Sequence, residues 1–91
     1  MNLSNQLAYY LDDLWSKGFK LTDEDVRFIY LGKHSTMSED WKVILALKTT
    51  LQNQHTFVGS YYLSILELLE GEGVHSLSHA TQLLKKKGVT S

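Results

Sequence analysis

Phe57-Val58-Gly59-Ser60-Tyr61-Tyr62-Leu63-Ser64-Ile65-Leu66-Glu67-Leu68-Leu69-Glu70 is the most apolar stretch of the chain. At helical spacing Val58, Tyr61, Tyr62, Ile65, Leu66 and Leu69 form one wide stripe, and Leu63 and Leu68 stand outside it. A helix that is apolar most of the way round has to be covered by its neighbours. The stretch therefore predicts the central helix of an all-α bundle, over about 57–70. It is too short, and too interrupted by Ser60, Ser64 and Glu67, to cross a bilayer, which takes about 20 mainly apolar residues.

Immediately upstream, Trp41, Ile44, Leu45 and Leu51, flanked by Val43 and Leu47, predict a helix over about 38–53, with Lys42, Lys48, Gln52 and Asn53 on its wet side. Its start signal is Thr36 with Glu39, or Ser38 alone. Asn53-Gln54-His55-Thr56 holds weak helix formers and predicts a short turn, with Thr56 capping the central helix. The alternative is one continuous rod from about 39 to 70, because no Gly or Pro intervenes before Gly59. Lys33-His34-Ser35-Thr36-Met37 reads as a linker. Before it, Thr22-Asp23-Glu24-Asp25 has the spacing of a capping box, so a helix should run from there through Val26, Phe28, Ile29, Tyr30 and Leu31 to Gly32. The first helix is expected over about 4–17, from Leu3, Leu7, Tyr10, Leu11 and Leu14, with Ser4 as cap and Gly18 as stop.

Downstream, Gly71-Glu72-Gly73 ends the central helix. Ser76 or Ser78 then caps a last one to Lys87, with Leu77, Ala80, Leu83 and Leu84 inward and Gly88 as stop. The expectation is one domain over 1–91, built of four to five helices in an antiparallel or orthogonal bundle. Length agrees, since 91 residues divided in two would leave halves too small to bury a core.

Nine Lys and Arg against ten Asp and Glu give a net charge of -1, which supplies no global pull towards nucleic acid or an anionic membrane. The absence of Cys removes disulfides, cysteine catalysis and the common structural zinc sites. With no basic N-terminal segment leading into an apolar core, a cytoplasmic location is the default. His75 and His79 are spaced to share a helix face, but the HExxH arrangement needs Glu where this chain has Ser76. The Asp23-Glu24-Asp25 trio lacks the Gly and distal Glu of a calcium loop. Gly71-Glu72-Gly73 has no preceding strand and no third Gly for a phosphate loop. No ordered set of Ser, His and carboxylate suggests a nucleophile. No catalytic residue, metal or cofactor is assigned, and the expected activity is binding.

Two binding readings follow. Two Trp, five Tyr and three Phe exceed what one inward face per helix can hide, so some rings should reach the surface and anchor a protein partner. Tyr9, Trp15, Tyr30 and Trp41 are the candidates, and the partner is either a second copy, giving a homodimer, or another protein. The alternative rests on Leu77-Ser78-His79-Ala80-Thr81 followed by Leu84-Lys85-Lys86-Lys87-Gly88-Val89. This segment resembles the recognition helix of helix-turn-helix transcription regulators, with Gln82 where that pattern has an apolar residue and a longer turn before the helix. The resemblance implies DNA contacts from Ser78, His79, Thr81, Gln82, Lys85, Lys86 and Lys87 in the helix over about 76–87.

Overall fold

The computed structural model describes residues 6–90. Among them it places five α-helices and no strand: α1 (Gln6–Ser16), α2 (Asp23–Thr36), α3 (Asp40–Gln54), α4 (Gly59–Gly71) and α5 (Leu77–Lys86). Leu3 and Ser4, read above as the start of the first helix, lie outside the described residues.

The apolar stretch becomes α4, which buries Tyr62, Ile65, Leu66 and Leu69 against α2 and α3. It shares the centre with α3, which packs on α1, α2 and α4 and buries Val43, Ala46, Leu47 and Leu51 together with Asp40, Lys42, Thr49 and Thr50. Ala80, Leu83 and Leu84 of α5 complete the core, along with Val74 from the preceding loop. Lys42 was expected on the wet side, but only 5% of it is exposed. α3 has neighbours on too many sides for a solvated lysine there, and Glu70 of α4 supplies the counter-charge, 3.1 Å from Lys42 Nζ.

α2 departs most from expectation. It does not stop at Gly32 but continues to Thr36, so most of the expected linker is its last turn. Gly32 serves packing rather than termination: a Cβ there would lie 2.9 Å from Tyr62 Cε2, so only glycine lets α2 and α4 approach this closely. The Tyr62 hydroxyl donates to the Ile29 carbonyl at 2.7 Å, and burial pushes its pKa far above the ordinary phenol value. Phe28 and Phe57 enclose the same ring, with centroids 6.3 and 5.6 Å from that of Tyr62. The helix ends instead at Met37, whose φ of 56° is left-handed and whose side chain is 88% exposed.

Thr36 and Ser38 do not cap α3. Their hydroxyls bond each other at 2.6 Å, and Thr36 Oγ1 also reaches the Gly32 carbonyl. The N-cap of α3 is Glu39, which makes no side-chain cap bond. Between α3 and α4 the expected turn exists and there is no continuous rod: His55 closes α3 with a left-handed φ of 63°. Thr56 is not the next cap, because α4 begins at Gly59 with Val58 in that position. Elsewhere the local signals hold. Thr22 and Asp25 make both bonds of the capping box, and Ser76, rather than Ser78, caps α5 by accepting from the His79 amide.

Gly32→Ala should lower stability by about 1–2 kcal/mol, because overpacking against the enclosed Tyr62 ring outweighs the roughly 1 kcal/mol that alanine gains in helix propensity. Urea denaturation of the two proteins measures the difference.

Candidate partner-binding surface

Asp40 sits at the first position of α3, is 7% exposed, and carries a carboxylate that would be costly to bury alone. Its Oδ2 accepts from the backbone N–H of Leu7 at 3.0 Å, satisfying one of the amides that the first turn of α1 leaves unpaired. Its Oδ1 lies 2.8 Å from Lys33 Nζ at the end of α2, with angles that make the contact an ion pair rather than a directed hydrogen bond. Lys33 also donates to the Ser38 carbonyl. One carboxylate thus ties the start of α1 to α3 and to the last turns of α2.

With α1 held against α3, an open groove of about 330 Å³ remains between them. Tyr10, Leu14, Phe19 and Leu51 give it apolar walls, and Asp13, Lys17, Lys48 and Gln52 line it as well. Burial, and secondarily the Asp13 carboxylate, raise the pKa of Tyr10 above the ordinary 10.0, so its phenol stays a neutral hydroxyl. On the other side of α3 a second groove, of about 360 Å³, lies against α5 between Leu45, Thr49, Leu77, Leu84 and Thr90. Asn53 Nδ2 holds the end of the chain nearby, donating to the Val89 carbonyl and the Tyr61 hydroxyl, both at 2.7 Å. Lys48 and Gln52, one turn apart on α3, line both grooves and form the ridge between them. Asp13 and Lys17 pair at 2.9 Å, whereas Lys48 makes no ion pair among the described residues.

None of the four aromatic candidates lines either groove. Tyr9 is 70% exposed and points away from the buried Leu7 and Leu14. Trp15 is exposed on another flank of α1, with the Lys20 ammonium 4.9 Å from its ring centroid. Tyr30 is half-buried and stacks on His34. Trp41 is half-buried beside the ammonium of Lys42. The rings are spread over three helices. Ser78, His79, Thr81, Gln82, Lys85, Lys86 and Lys87 are all exposed on α5 and its cap. His79, Gln82 and Lys86 share a shallow depression with Glu72. His75 is exposed before the Ser76 cap, and no cluster of three or more metal-ligating side chains occurs among the described residues.

Reading the sequence missed Phe19, Lys48 and Leu77 as surface residues that belong together. Leu77 was placed inward, yet it is exposed, because it opens α5 at the edge of the groove rather than beneath it. The spacing of Lys48 and Gln52 on α3 was legible, but nothing in the chain order says that α1 and α5 flank that strip.

A family model matches residues 2–90, nearly the whole chain. The protein belongs to a family of unknown function, DUF6123. No curated protein and no solved structure matches it. No helix among the described residues is long and apolar enough to cross a membrane.

Asp40→Ala should cost about 3 kcal/mol, the usual loss when one partner of a buried ion pair is removed. It should also release α1 first. Hydrogen exchange of the substituted protein should show amides of α1 losing protection before those of α4.

Proposed function

We propose that this protein acts by binding a protein segment on the face formed by α1, α3 and α5, and that it is a regulatory or interaction module rather than an enzyme. One observation carries the reading: Phe19 and Leu77, two of the exposed large apolar side chains, line adjoining grooves that share Lys48 and Gln52. Apolar walls with a polar ridge are what a partner's anchoring side chains need, since such anchors bind by leaving water in a fitted pocket while polar neighbours set the register. The partner is a second copy of the chain or another protein. A cytoplasmic setting fits a chain with no cysteine.

A photo-crosslinking residue placed at Phe19 or Leu77 should give covalent adducts with a protein in living cells. The same residue at Glu24 or Glu67, exposed on α2 and α4, should not. Equal adducts from all four positions would show that this face has no special role. Sedimentation over a concentration series separates self-association from capture of a different protein.

A second reading, duplex DNA binding by α5, is favoured by the exposure of all seven side chains from Ser78 to Lys87 named above. Glu72 beside His79, Gln82 and Lys86 works against it by repelling phosphate. If DNA is the ligand, replacing Lys85, Lys86 and Lys87 with Gln should weaken binding and reduce the slope of log K against log salt by about 3. An unchanged slope would rule this reading out.

A further inference from the structure

We infer that the occupant of the α1/α3/α5 face is an acidic amphipathic helix of a different protein, lying across α3 with one apolar side chain in each groove and a carboxylate on Lys48 between them. This rests on the protein-binding reading above and adds the chemistry of the partner.

The spacing comes first. The two grooves flank a single helix, and packed helices lie about 8–10 Å apart, so the groove midlines are separated by roughly one helix diameter, about 10 Å. Along a helix that rises 1.5 Å per residue, positions i and i+7 share a face and stand about 10.5 Å apart. A crossing helix therefore reaches both grooves with side chains seven residues apart. Position i+3 or i+4 then falls on the ridge, over Lys48 and Gln52.

Charge selects what stands at that middle position. Lys17 is neutralised by Asp13, and Lys20 is held over the Trp15 ring. Lys48 is exposed, belongs to both grooves and has no ion-pair partner among the described residues. A carboxylate at i+4 meets this cation and can accept from the Gln52 amide one turn away. A lysine or arginine there meets like charge.

No exposed large apolar side chain on the chain's own helices has a second one seven residues away with a carboxylate between them, which argues against a second copy: Trp15 has Asp12 three residues before it but only the methyl of Ala8 seven before, and Leu77 is followed by Thr81 and the buried Leu84. Leu31 has Arg27 four residues before it and Glu24 seven before. Tyr9 is followed by Asp12 and Asp13, but the residue seven on is Ser16.

The probes are alanine-based helical peptides, fluorescently labelled, with Leu at i and i+7 and Glu, Gln or Lys at i+4, plus a Glu peptide with both Leu replaced by Ser. Fluorescence anisotropy is measured with the full chain. The Glu peptide should bind about fivefold tighter than the Lys peptide, a gap that narrows with salt, and the Ser peptide should not bind. Lys48→Glu should reverse the preference and Lys48→Gln should abolish it, with the melting temperature of each variant confirming that the fold is kept. Amide shifts on binding should centre on Leu45, Leu51 and Leu77. Equal affinity for the Glu, Gln and Lys peptides, with shifts in the grooves, would overturn the acidic preference and leave the binding face standing. Failure of every peptide while crosslinks from Phe19 and Leu77 persist would overturn the helical occupant alone, as would a dimer dissociated by substituting those two residues. Failure of the peptides together with crosslinking no stronger than at Glu24 and Glu67 would overturn both.

Discussion

Asp40 is the group on which the arrangement of the helices depends. A carboxylate removed from water must find both a counter-charge and hydrogen-bond donors, or the fold loses more there than the surrounding apolar burial returns. Here the charge comes from Lys33 on α2 and the donor is the Leu7 amide on α1. The residue also stands in the first turn of its own helix, where the aligned peptide dipoles favour a negative group. Three helices are therefore brought to one point. Sliding any of them along its axis leaves a buried charge or a first-turn amide without its partner.

The contact between α2 and α4 is held by shape instead. Gly32 lets the Tyr62 ring lie where a side chain would otherwise be, and the hydroxyl of that ring ends on the Ile29 carbonyl. Phe28 and Phe57 close around it. Lys42 and Glu70 join α3 to α4 by charge, close to the apolar contacts of the same two helices. Apolar area supplies the driving force, while these few polar partners select one register among the many that area alone would tolerate.

The candidate surface follows from this packing. α3 packs on α1 and α2, and its Lys48–Gln52 strip remains open between the grooves that border α1 and α5. The two grooves are the seams on either side of that strip. Much of their apolar wall belongs to helical side chains that also serve the core, such as Leu14, Leu51 and Leu84, and Phe19 is added from the loop after α1. A partner would meet a preformed surface and spend little free energy ordering it.

Sequence by itself determined the all-α class, a covered helix over about 57–70 and the capping box at Thr22 and Asp25, and it narrowed the join after α3 to a turn or a continuous rod and the start of α5 to Ser76 or Ser78. Each of these depends on neighbours within a few residues, through helical periodicity or a side chain bonding its own first turn. The tertiary structure decided the rest. Gly32 reads locally as a stop, and only the ring of Tyr62, thirty residues on, makes it a contact point inside a longer helix. Lys42 reads as solvated until Glu70 is brought beside it, and Asp40 has no assigned role until the Leu7 amide and Lys33 meet it. The grooves share that character. A face made by α1, α3 and α5 joins residues from Tyr10 to Thr90, and hydrophobic pattern along the chain carries no information about which helix faces lie side by side.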